Sequence, residues 1–203
     1  MSQRSTGQFL RNYPIRGEIA EIYINANGAG SDELMDISIE PILFEQKSVF
    51  VRMLELYSYD FSEFSDNDIN EYGYFGYKYI DDYWNEEGRY PFFIRVDGKL
   101  AGLVLVRSCC QYNDLPNSHN IAEFFVMKKY RKKGIGRTAA VSIFDMFRGG
   151  WEISVWTNNL PAQSFWSKVI AEYTNGKYDT FTAAEANEKG FTFDNSNSDF
   201  DNK

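Results

Sequence analysis

Two short apolar runs, residues 91–96 and 99–107, are separated only by Asp97-Gly98, and this link commits the middle of the chain to an antiparallel hairpin. Asp-Gly tolerates the positive φ angles that a tight two-residue turn demands. A third apolar run at 121–127 follows a polar loop at 109–120 and reads as another strand. Helical periodicity flanks these strands. Phe50, Met53, Leu54 and Tyr57 fall at i, i+3, i+4 and i+7. A later helix opens near Pro161 and carries Ala162, Phe165, Trp166, Val169, Ile170 and Tyr173 on one face. Residues 37–42 read as a first strand and 77–84 as a second short helix. A helix runs from the turn ending at Arg137 to about Phe147, where Gly149-Gly150 stop it. Strands are predicted at 151–156, 178–182 and 190–193. The order β-α-α-β-β-β-α-β-α-β-β implies an α/β fold, a mixed sheet with helices on both faces.

At 203 residues the chain suits one domain with an appendage. The domain is expected at 35–193. Ahead of it, residues 1–34 are rich in Gly, Ser, Asn and Arg, with a linker-like run at 25–31, and read as a loosely ordered extension. Residues 194–203 read as a polar, frayed tail. No run approaches the roughly 20 apolar residues of a membrane span. Cys109 and Cys110 are adjacent and His119 is the single His, so neither a disulfide framework nor a His-based metal centre is expected. A reducing cytoplasm is the expected compartment. A net charge of −8 argues against a nucleic-acid partner. A homodimer stays open, with residues 1–34 docked on a neighbouring subunit.

The chemistry concentrates where the strand at 121–127 runs into the basic turn at 128–137. Gly134 and Gly136 open a helix there, among Lys128, Lys129, Arg131, Lys132, Lys133 and Arg137. The first N–H groups of a helix have no partner within it, and the helix dipole adds partial positive charge. In an acidic chain, this turn predicts an anion site suited to a pyrophosphate. Neither the P-loop pattern nor the G-x-G-x-x-G dinucleotide pattern is present.

The turn matches [RQ]-x-x-G-x-[GA] as Arg131-x-x-Gly134-x-Gly136, directly after an apolar strand ending in Val126. A second block, Val155-x-x-x-Asn159-x-x-Ala162-x-x-Phe165-Trp166-x-Lys168, follows after one helix and one strand. Together these blocks resemble the GNAT superfamily of acetyl-CoA-dependent N-acetyltransferases, and the resemblance covers residues 37–193. It implies a mostly antiparallel, splayed sheet and acetyl-CoA as cosubstrate, with no metal. It implies that Arg131, Lys132, Lys133, Gly134, Ile135, Gly136 and Arg137 hold the pyrophosphate, and that Phe125, Val126 and Met127 pair with the pantetheine amides. Asn159 would contact the cofactor beside the splay, or cap the helix that follows it.

The resemblance also implies direct acetyl transfer to an amine, with Glu123, three residues before Val126, as general base through water. Strand alternation puts Glu123 and Phe125 on one face and Phe124 and Val126 on the other. The alternative for Glu123 is an ion pair with Arg95 or Arg107. His119 is the runner-up base, although its loop context reads as surface. The phenol that protonates the leaving thiolate in this family falls at Trp166, whose indole is no usable acid. Tyr173 is the nearest phenol on that helix and the substitute candidate. Trp166 also supports an alternative function, an acetyl-CoA sensor without efficient turnover. The acceptor would be a small amine, an amino sugar or a peptide amine, attracted by the acidic, Tyr-rich segment 60–90.

Overall fold

Asp97 and Gly98 adopt φ angles of 49° and 71°, both positive as a tight hairpin requires. They join strand β3 (Arg89–Val96) to strand β4 (Lys99–Arg107). The structure, a computed structural model, describes residues 24–27, 34–115 and 117–196. The remaining strands are β1 (Ile24–Asn27), β2 (Leu34–Pro41), β5 (His119–Val126), β6 (Gly150–Trp156), β7 (Asp179–Ala183) and β8 (Glu188–Asp194). The helices are α1 (Lys47–Phe61), α2 (Asp82–Asn85), α3 (Ile135–Met146) and α4 (Leu160–Thr174). The strands form one eight-stranded sheet in the order β1-β2-β3-β4-β5-β6-β8-β7. Every neighbouring pair is antiparallel except β5 and β6.

Alternation along the strands feeds two cores. Phe92, Ile94, Val104, Val106 and Val126 turn to the face covered by Ile143 and Phe144 of α3 and by Trp166 and Ile170 of α4. Phe93, Leu103, Leu105 and Phe125 turn to the other face, under Phe50, Met53 and Leu54 of α1 and Tyr83 and Trp84 of α2. The apolar face expected on α1 is therefore buried, and the sheet is covered on both sides. Each fully buried Phe or Leu in these layers contributes about 1.5–3 kcal/mol of transfer free energy.

Three boundaries differ from expectation. Ile24–Asn27, at the start of the linker-like run, pairs antiparallel with β2 as the sheet's outermost strand. Edge pairing needs only main-chain N–H and C=O groups, so an Asn- and Ala-containing segment suffices. The rest of the expected extension, apart from Leu34, lies outside the described residues. Asn195, expected in a frayed tail, is fully buried. Its amide donates to the carbonyls of Phe144 and Phe147, and its Oδ1 accepts from Gly149 N–H. Residues 197–203 lie outside the described residues. The second short helix is confined to Asp82–Asn85. Gly73 and Gly76 both have positive φ, and residues 75–76 are instead held from α1 by the Glu55 carboxylate, which accepts from the N–H of Phe75 and of Gly76 at 2.9 Å each.

Candidate active site

Strands β5 and β6 pair only through His119–Trp151 and Asn120–Glu152 and then part, although both continue for several residues. The gap opens into a cleft of about 780 Å³. Its floor is residues 120–124 of β5 and 153–156 of β6. One wall is Trp166 and Ala162 of α4, and the other is Tyr57 of α1 with Tyr77 and Tyr83.

The register decides which backbone groups face the gap. Met127 N–H donates to the Ala101 carbonyl at 2.8 Å, and the same register pairs Phe125 with Leu103. Hydrogen-bonded and non-bonded pairs alternate in an antiparallel ladder. Phe125 and Met127 therefore spend their backbone groups on β4, and those of Phe124 and Val126 point into the gap. The Val126 carbonyl already accepts from Arg131 Nε at 2.7 Å. Of the three residues expected to pair with pantetheine, only Val126 offers an N–H to the gap, and Phe124 joins it. Alternation with period two is the reason a run of three neighbours cannot all serve.

Glu123 lies on the α1 face with Phe125, as alternation requires. Tyr57 Oη donates to its Oε2 at 2.5 Å and Tyr77 Oη to its Oε1 at 3.1 Å. The carboxylate thus has a phenol on each oxygen. Arg95 is paired with Glu40 instead, and Arg107 reaches Glu123 only through the field. Burial raises the Glu123 carboxyl above the usual range, while the two phenols and then Arg107 pull it back. Burial, then the Glu123 charge, pushes both phenols up, which keeps them protonated. A one-residue register shift between Leu105 and Val106 marks a bulge beside Glu123, where strands re-aim side chains. The sequence placed Tyr77 only within the Tyr-rich acceptor segment 60–90 and Tyr57 only on a buried helix face. The signal for Tyr57 was a phenol closing an otherwise apolar helix face.

The basic turn sits beyond the end of β5. Gly134 has φ +81°, and a Cβ there would meet nothing within 4 Å. It leads into the α3 N-terminus, where Thr138 N–H is the first to be taken up, on the Gly134 carbonyl at 3.0 Å. The N–H groups of Ile135, Gly136 and Arg137 precede that bond at the helix end. Open space over a left-handed glycine beside a helix N-terminus fits a pyrophosphate. Gly136 has a different role. A Cβ there would lie 3.2 Å from Phe165 Cε2, so this glycine lets α3 pack against α4. Arg131 also holds Asp60 at the end of α1, and Arg137 pairs with Glu172 at 2.8 Å. Lys132, at φ 60°, and Lys133 are exposed.

Other expected residues divide. Asn159 lines the cleft and its Oδ1 accepts from Ala162 N–H at 3.1 Å as the α4 cap. Trp166 lines the cleft and packs on Phe124, with ring centroids 5.0 Å apart. Tyr173 is away from it. Its hydroxyl donates to Asp145 at 2.9 Å and accepts from Asn195, two helical turns from Trp166 and inside the core. His119 is 7% exposed, not a surface residue. It lies between Phe147 and Trp151, its Nε2 is 3.3 Å from the Arg148 carbonyl, and burial lowers its pKa. With Cys109 and Cys110 it borders a separate hollow. Among the described residues no group of three or more His, Cys, Asp or Glu could hold a metal ion, and no helix is long and apolar enough to cross a membrane.

A model of the acetyltransferase (GNAT) family matches residues 51–170. No curated protein matches the chain in sequence. Among solved structures, an acetyltransferase from Thermus thermophilus is similar at TM-score 0.56 and 11% identity, covering 78% of this chain and 96% of that one. The PaiA N-acetyltransferase of Thermoplasma acidophilum, in complex with coenzyme A, gives TM-score 0.54 and 12% identity over 78% and 98% of the two chains. Mycobacterium smegmatis RimJ, in complex with CoA-disulfide, gives 0.52 and 13% over 78% and 82%. At such identities these likenesses concern the fold.

Proposed function

The chain belongs to the GNAT acetyltransferase family, and from that premise we propose that it transfers the acetyl group of acetyl-CoA directly to an amine, with Glu123 as general base. The observation that carries the reading is Glu123 itself, a buried carboxylate on the floor of the β5–β6 gap with a phenol on each oxygen.

Bound acetyl-CoA supplies an activated acetyl thioester. The turn from Arg131 to Arg137 would hold its pyrophosphate through the N–H groups of Ile135, Gly136 and Arg137. The gap-facing groups of Phe124 and Val126 would hold its pantetheine arm. Val126 N–H is the donor available to polarise the thioester carbonyl. An ammonium cannot attack, so Glu123 takes a proton from the acceptor through water. The C–N bond then forms, the C–S bond breaks, and the second proton that the nitrogen must lose passes through water in the cleft to the leaving thiolate. Burial makes Glu123 a stronger base than an exposed carboxylate, and the hydrogen bonds from Tyr57 and Tyr77 favour its ionised form against that burial. Tyr173 has no part in this step, since its hydroxyl is committed to Asp145 and Asn195.

The test is free-thiol release from acetyl-CoA across a panel of amines, with matched alcohols as controls. Amine-dependent release that falls steeply in Glu123→Gln below the amine's pKa, and less at high pH, is the expected result. Release that ignores the amine, or an unaltered Glu123→Gln profile, would overturn the reading.

A further inference from the structure

Arg89, Arg95, Arg131 and Arg137 each have a carboxylate partner. Arg107, at the end of β4 and lining the cleft, has none within ion-pair reach among the described residues. Its Nη2 donates to two neutral amides, Gln111 Oε1 and Asn120 Oδ1, both at 3.2 Å. Its Nε is buried with no hydrogen-bond partner. Gln111 is fixed in turn, because its N–H donates to the fully buried Glu152 carboxylate at 2.7 Å. The guanidinium is thus held in place by uncharged groups, with no carboxylate in ion-pair contact among the described residues and one buried donor, Nε, left over.

A second orphan has the opposite sign. Glu188, the first residue of β8, also lines the cleft. Its Oε1 accepts from Trp156 Nε1 at 3.2 Å, and the Tyr112 phenol lies beside the carboxylate, yet its buried Oε2 has no partner within 3.5 Å. Buried polar atoms are almost always satisfied, and one left over in a cleft calls for an external partner. Two such atoms of opposite charge in one cleft call for a partner carrying both charges.

We propose that the acceptor is an amino-carboxylate, a molecule with a carboxylate a few atoms from its reacting amine, read by Arg107 while the amine lies between Glu123 and Glu188. The inference rests on the acetyl-transfer reading of the cleft and adds the class of acceptor. The spacing supports it. Arg107 faces Asn120, and Glu123 faces Leu105 two residues further back along β4, which is about 7 Å along the strand. Residues two apart on a strand share a face, so one small amino-carboxylate can reach both side chains. A carboxylate matches one guanidinium charge for charge and geometrically. Of the two arginines lining the cleft, Arg89 is already paired with Glu86, so a dianionic phosphate would face one unpaired Arg among Glu123, Glu188 and Asp68 and is disfavoured. Tyr79, Tyr83 and Phe75 in the wall would pack on an apolar side chain.

Two measurements on the full chain test this. Calorimetry with CoA present compares phenylalanine with phenylalaninamide and phenethylamine, and 4-aminobutyrate with butylamine. Thiol release from acetyl-CoA ranks the same compounds by kcat/KM. We expect the carboxylate-bearing member of at least one set to be preferred by about 10- to 100-fold, the range of one charged hydrogen-bonded pair. Arg107→Gln should bring that ratio close to one, mainly through KM. Arg107→Lys, which keeps the charge without the fork, should retain part of it and shows whether the site still folds. Equal use of carboxylate and neutral partners, or an Arg107→Gln variant that keeps the wild-type ratio, overturns the proposal. Carboxylate-selective binding through Arg107 without any turnover would sustain it while removing amine acetylation. Turnover indifferent to the carboxylate would do the reverse.

Discussion

Tyr57 Oη donates to Glu123 Oε2 at 2.5 Å, tying the penultimate turn of α1 to the strand that borders the β5–β6 gap. The bond makes α1 part of the site as well as part of the core. Removing it with Tyr57→Phe takes one donor from the carboxylate and leaves the ring packing on Phe125. A hydrogen bond to a charged group is worth about 1.5–3 kcal/mol. Glu123 loses support for its ionised form, so its pKa rises further. The acid limb of the kcat/KM profile should move to higher pH, with activity near neutrality reduced about tenfold or more. A pH–rate series on both proteins checks this, and an unmoved acid limb would mean that Tyr57 does not tune the base.

The two glycines of the turn should behave differently. Gly134→Ala adds a methyl group that meets nothing in the fold but must sit at φ +81°, a strain of about 1–2 kcal/mol. The variant should fold and lose coenzyme A affinity. Gly136→Val pushes a branched side chain into Phe165, 3.2 Å from where its Cβ would lie, and should cost about 1–3 kcal/mol. Its melting temperature should drop even without ligand. Thermal melts and CoA titrations of the two variants separate the roles.

Glu123 also predicts a pH dependence of stability. Burial holds its folded pKa above the ordinary carboxylate value. The folded state therefore binds the proton more tightly than the unfolded chain does. The stability this contributes is complete below the unfolded pKa and is lost as pH rises through the folded pKa. Urea midpoints of the apo protein, measured upward from pH 4, should fall more for the wild type than for Glu123→Gln. Parallel curves would show that the carboxylate is not stressed by burial.

Cys109 is exposed, and burial raises the Cys110 thiol, which suppresses the nucleophilic thiolate. Both border the hollow beside His119, apart from the cleft. Replacing both by Ser should leave turnover near the wild-type level. Loss of activity, with an acetylated protein trapped from the wild type, would indicate a covalent intermediate.

Tyr173→Phe should also retain turnover. It removes the partner of Asp145 and Asn195 in the core, so unfolding should come about 1–3 kcal/mol sooner. A reduced kcat with unchanged stability would return Tyr173 to catalysis.

Much of this protein was legible from local chemistry. Asp97-Gly98 specified a hairpin because its conformational demand is met by two residues alone. Period-two and period-3.6 apolar patterns assigned most strands and helices because burial acts on each face separately. The Arg131–Gly136 spacing marked the turn that leads into the α3 N-terminus, since a glycine with positive φ before a helix is a local backbone demand. Tertiary structure decided what depends on residues far apart in the chain. Which β5 amides face the gap followed from the β4 register, so Phe124 replaced Phe125 and Met127. The partners of Glu123 came from Tyr57 and Tyr77, 66 and 46 residues away, rather than from neighbouring arginines. Tyr173 shares a helix face with Trp166 but lies about 10 Å further along the α4 axis, beyond the cleft and inside the core. Whether a buried charge is paired, tuned or left waiting for a ligand depends on everything that surrounds it, and a linear pattern records only its own side of that balance.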